Sequence, residues 1–214
     1  MIKDMLVLLC IHPEKGWVRR RSIIGYALLA AALFDLAMKG NFRVNDGRIE
    51  ASPAKLDDPL LDELLKRLQR LEGKKFSWVL NRLSMNPGKL YRRQMQQLAS
   101  RRLITISPVE WMGITWGKRY RVNRIDGLKP LMTALERVLV YGREPAIQTR
   151  LIIELMGLLG LIGTLFSDGE LRTRAKARFR EISKEEFSEQ HQTYHAIRKE
   201  LRNALRRQKA AVSN

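Results

Sequence analysis

The stretch "WVRRRSIIGYALLAAALFDLAMKG", residues 17–40, decides how this chain folds. Three arginines stand in front of an apolar run from Ile23 to Phe34, twelve residues long. A membrane-spanning helix needs about 20 such residues. Asp35 interrupts the run and Lys39 follows, and a charge inside a span costs at least about 2–3 kcal/mol. The stretch therefore predicts a buried helix that starts near Ser22 and stops at Gly40. Ser22 offers an N-cap oxygen, and Gly40 suits a left-handed residue after Lys39. The arginines then stand at the entrance of a core helix.

A chain of 214 residues suits one large domain, or one domain with an appendage. Its 45% apolar residues suffice for a real core. The net charge of +18 points to a polyanionic partner, either nucleic acid or an anionic membrane surface. Cys10 is the single cysteine, which excludes an internal disulfide and fits a reducing compartment. The apolar run is only Met5 to Ile11, Asp4 precedes it, and no small-residue cleavage site follows, so no signal peptide is expected. A second apolar run, Leu151 to Phe166, carries Glu154 and reads as another core helix.

The other elements follow from periodicity and punctuation. Leu6 to Ile11 is a short buried element. Asn45-Asp46-Gly47 turns a hairpin, with Phe42 and Val44 on one arm and Ile49 on the other. Asp57 or Asp58 caps a helix that Pro59 enters and Gly73 ends, with Leu60, Leu61, Leu64, Leu65, Leu68 and Leu71 on one face. Helices over Phe76–Met85 and Pro87–Arg102 follow, the second with Tyr91, Met95 and Leu98 on one face. Short strands are expected over Leu103–Ile106, Trp111–Trp116 and Arg119–Val122, with turns at Ser107-Pro108 and Gly117-Lys118. Helices resume over Leu128–Tyr141, Ala146–Phe166, Asp168–Glu181 and Lys184–Gln208. The fold class is mainly α, with small β-hairpins.

Catalytic patterns do not emerge. The chain has no glycine-rich phosphate loop, no H-E-x-x-H and no C-x-x-C. His191 and His195 share a helical face, but two ligands do not close a zinc site, and they read as solvated surface. Asp57, Asp58, Asp62 and Glu63 stand where a helix start favours acids. The expectation is no enzyme, no cofactor and no metal.

Basic charge collects in places. Lys15, Arg19, Arg20 and Arg21 surround Trp17 before the first core helix. Lys89, Arg92, Arg93, Arg101 and Arg102 lie between Asn86 and Val109 with no acid. Lys118, Arg119, Arg121 and Arg124 follow. The run from Arg172 to Arg180 reads as a solvated helix surface. Trp17 beside arginines either meets lipid headgroups at a membrane interface or plugs the core.

Several stretches then occur in a familiar order: "LLCIHPEKGWV", "YALLAAALFDLAMKGNF", "DDPLLDELL", "NPGKL" to "LASRRLI", and "LERVLVYGREPAIQTRLIIELMGLLGL". This ordered set, over residues 5 to 166, resembles the Golgi phosphoprotein 3 family, with the chain expected to be a prokaryotic-type relative. The resemblance implies a mostly helical single domain; residues 167–214, outside it, are expected from their own pattern to form basic amphipathic helices packed on the same domain. The resemblance also implies non-catalytic, peripheral binding to the headgroup of phosphatidylinositol 4-phosphate on a cytoplasmic membrane face. Golgi members also bind glycosyltransferase tails and coat proteins.

In those members a Trp and an Arg near the first core helix, and two Arg on a later helix, hold the phosphate. Here the Trp position falls near Arg21, the first Arg position at Leu29, and the later match near Tyr91. The headgroup candidates are therefore Trp17, Arg20, Arg21, Arg92 and Arg93. A family hairpin mediates self-association, and Trp111, Met112, Ile114 and Trp116 either serve that role or pack on the domain. The competing expectation is a winged-helix outline, with Tyr91 to Arg102 as recognition helix and basic strands as wing, bound to nucleic acid.

Overall fold

The computed structural model describes residues 1–19, 23–112, 114–123, 125–185, 187 and 191–212. The stretch that decides the fold forms α2 (Ile24–Met38), and it is buried on every side from Ile24 to Leu36 apart from Tyr26. A helix apolar all round belongs at the centre of a domain. The others wrap it: α1 (Ile2–Cys10), α5 (Pro87–Ser100), α7 (Ile147–Leu158) and α9 (Gln192–Val212) all pack on α2. Its C-terminus closes as expected. Gly40 takes φ +74°, its N–H donates to Ala37, and the N–H of Asn41 donates to Leu36. The proposed Ser22 cap lies outside the described residues.

Asp35 explains itself at this level. Its carboxylate accepts the N–H groups of Ile2 at 2.8 Å and Lys3 at 3.1 Å, so it caps α1 from the neighbouring helix. The short element expected at Leu6–Ile11 is thus a full helix that begins at Ile2. Lys3 is completely buried. Its ammonium reaches Asp4 at 3.0 Å, Asp58 at 2.8 Å and Gln94 at 3.1 Å. Asp58 meanwhile caps α3 (Pro59–Gln69) by accepting from Leu60 and Leu61. One carboxylate therefore ties the start of α3 to the N-terminal helix.

The first hairpin, β1 (Phe42–Asn45) and β2 (Arg48–Ala51), has the expected turn, with positive φ at Asp46 and Gly47. Phe42, Val44 and Ile49 face the core. After α4 (Phe76–Leu83), Asn86 caps α5 by accepting from Lys89 at 3.1 Å.

The second hairpin departs from expectation. It has two long strands, β3 (Ile104–Trp111) and β4 (Ile114–Val122), rather than three short ones. Ser107, Pro108, Gly117 and Lys118 lie inside the ladder, with a register shift at Val109/Glu110. In a two-stranded ribbon each strand keeps a free edge, where the missing N–H of a proline costs nothing.

The remaining helices are α6 (Lys129–Leu139), α7 and α8 (Gly169–Ile182). Rather than running to Phe166, α7 stops at Leu158, because Gly160 turns left-handed at φ +69° and a 3₁₀ turn follows at Ile162–Thr164. The last helix begins at Gln192 rather than Lys184. Ahead of it, Phe187 is buried beneath two guanidiniums, Arg150 at 4.3 Å and Arg198 at 5.2 Å from its ring centre. Arg198 itself pairs with buried Glu154 at 2.7 Å.

Candidate functional site: two helix starts and a basic hairpin

The N-termini of α2 and α5 meet. A side chain on Gly25 would lie 2.5 Å from the Pro87 carbonyl oxygen, so only glycine permits the approach. Each helix start concentrates unpaired N–H groups and about half a positive charge. Beside this junction lies a cavity of about 430 Å³, lined by Gly25, Gly88, Tyr91 and Arg92 from the helices and by Trp116, Lys118 and Tyr120 from β4. Its charged side chains, Arg92 and Lys118, are both cations and both exposed. Such a cavity is set up to receive an anion.

The loop before α2 is fastened to this wall. The N–H of Tyr120 donates to the Gly16 carbonyl at 2.7 Å. Trp17 follows, half exposed, with its ring 5.5 Å from that of His12. It therefore does not plug the core. Arg20 and Arg21, which lead directly into α2, lie outside the described residues, as does Arg124.

Arg92 and Arg93 part company. One residue along a helix is a turn of about 100°, and Arg93 lines a separate cavity of about 260 Å³ with Leu29, Arg67, Arg82 and Lys89. Arg93 is paired there with Glu63, which also holds Arg67. Leu29 is 3% exposed and forms apolar wall. Sequence reasoning missed Gly25 and Tyr120, and counted Lys118 among the basic residues without placing it in the site. A glycine inside an apolar helix was the available signal for the close approach.

The second hairpin exposes Met112, Ile114 and Trp116 at 81%, 60% and 68%. Trp111 ends β3, and its side chain is outside the described set. Cys10 is buried, and burial pushes its thiol up to about 12, only partly offset by Arg19, so it is no nucleophile at neutral pH. Among the described residues, no group of three or more His, Cys, Asp or Glu is placed to hold a metal ion. None of their helices is long and apolar enough to cross a membrane.

Fold and site together define a mainly helical domain with a basic cavity where two helix starts converge. The family model for Golgi phosphoprotein 3 (GPP34) matches residues 2–205, and the chain belongs to that family. The match runs beyond Phe166 and takes in α8 and most of α9. No curated protein matches the chain.

Proposed function

We propose that the protein is a non-catalytic peripheral membrane protein that binds anionic phospholipid headgroups in the cavity between α2, α5 and β4. Family membership favours phosphatidylinositol 4-phosphate as the headgroup. The observation that carries the reading is the contact of Gly25 with Pro87, which brings two positive helix ends to one cavity beside Arg92 and Lys118. Arg20 and Arg21 precede the same helix start in sequence, and Trp17 is exposed just before them. Each basic residue near an anionic surface contributes about 1 kcal/mol. The exposed Met112, Ile114 and Trp116 supply an apolar tip for self-association.

The test is vesicle co-sedimentation at physiological salt with neutral, phosphatidylserine and phosphatidylinositol 4-phosphate vesicles. Binding to phosphoinositide vesicles, weakened about 10–30-fold by Arg92→Ala with Lys118→Ala, is expected. Arg93→Ala is expected to change less, since Glu63 already balances that charge. Binding to duplex DNA with a steep salt dependence, and to no vesicle, would instead support the nucleic-acid reading of α5 and its basic hairpin.

A further inference from the structure

A third cavity, of about 740 Å³, lies at the C-terminal end of β4, beyond the headgroup cavity. Lys118 and Tyr120 line the first cavity, and Arg121 and Val122 line this one. Its apolar wall comes from Leu8, Leu9 and Ile11 at the end of α1, Leu128 and Met132 around the start of α6, and Leu165. The volume and the apolar lining are those of a small-molecule site rather than a packing defect.

Its polar groups divide into satisfied and unsatisfied ones. Thr105 and Asn123 are spent on each other at 2.8 Å, and Thr164 donates to the Leu161 carbonyl at 2.8 Å. That leaves Arg19 and Arg121. Among the described residues, neither has a carboxylate within ion-pair distance. Arg121 is exposed and Arg19 partly buried, so both guanidinium forks face solvent and can hold an anion that enters the apolar cavity. A simple phosphate would leave the leucine wall exposed to water, and a neutral hydrocarbon would leave the arginines unanswered. The chemistry that satisfies both is one anionic head on one apolar tail.

We propose that this cavity binds a single-chain anionic amphiphile, a long-chain fatty acid or a lysophospholipid, with its head on Arg19 and Arg121. The site is separate from the headgroup cavity and does not depend on it.

The test uses the delipidated full chain and a fluorescent dansyl fatty acid below its micellar concentration. Saturable binding of one probe per chain is expected. Displacement by palmitate identifies the fatty acid, and displacement by lysophosphatidic acid alone identifies the lysophospholipid. Arg19→Gln with Arg121→Gln should weaken the probe at least tenfold, and Met132→Trp should fill the cavity and abolish binding. Arg92→Ala with Lys118→Ala should leave it unchanged. Thermal unfolding of each variant confirms that it is folded. Absence of saturable binding, equal displacement by the palmitate methyl ester, or full binding in both cavity variants would overturn the proposal.

Discussion

The carboxylate of Asp35, near the end of α2, lies 2.8 Å from the backbone nitrogen of Ile2 and closes the first turn of α1. A cap provided by another helix secures both elements at once. Asp35→Ala leaves buried N–H groups without an acceptor. It should destabilise the domain by about 1–3 kcal/mol. Urea unfolding with an unchanged slope and a lower midpoint would show this.

Acid should act through Asp4. Burial alone would raise its pKa, but the Lys3 charge and hydrogen bonds from Lys3, Gln94 and Arg101 outweigh burial and hold it below the ordinary carboxylate value. A lowered folded pKa means stability that is present above the unfolded value and lost as pH falls through the folded one. Asp35 runs the other way. Burial, only partly offset by the two N–H donors, raises its pKa, so its contribution weakens as pH rises through the folded value. The stability gap between wild type and Asp4→Asn should therefore be widest near neutrality and narrow below about pH 4. Urea midpoints across that range test this directly.

Much of this was legible beforehand, for reasons that can be named. The Asn45–Gly47 turn, the Asp58 cap with Pro59, the leucine face of α3 and the Gly40 stop are local codes, readable within a few residues. Lys3 and Gln94 were not legible. Both are polar, and their burial depends on partners about 90 residues away. The second hairpin misled because Pro108 and Gly117 usually signal turns, whereas a free strand edge and a register shift absorb them. At the site, the basic segments were visible but their division was not. Only the helix geometry assigns Arg92 and Arg93 to different cavities.

Gly25→Ala should matter out of proportion to its single methyl group. The new Cβ lies 2.5 Å from the Pro87 oxygen and 2.6 Å from its Cβ, so α2 and α5 must separate. Overpacking of this kind costs about 1–3 kcal/mol, and vesicle affinity should fall with it. Gly88→Ala is the packing control: nothing lies within 4 Å of its added Cβ, so stability should be retained.

The Glu154–Arg198 pair offers a test of the C-terminal helix. Glu154 is 1% exposed, and Arg198→Met would leave its charge only the longer 3.6 Å contact with Arg202. Breaking a buried pair costs about 3–5 kcal/mol. Adding Glu154→Leu to that variant should restore most of the loss in thermal unfolding, because the charge that suffers has gone.

The buried ammonium of Lys3 also sets an order of events during synthesis. Its acceptor on Gln94 is 91 residues further along the chain. At roughly 5–20 residues per second, a ribosome takes about 5–20 s to supply it. Through that interval the first helix carries an apolar face, and its Lys3 ammonium has only Asp4, and later Asp58, as partners. The first helix is thus secured only after α3 and α5 have been made, and a growing chain of this protein needs shelter there until they arrive.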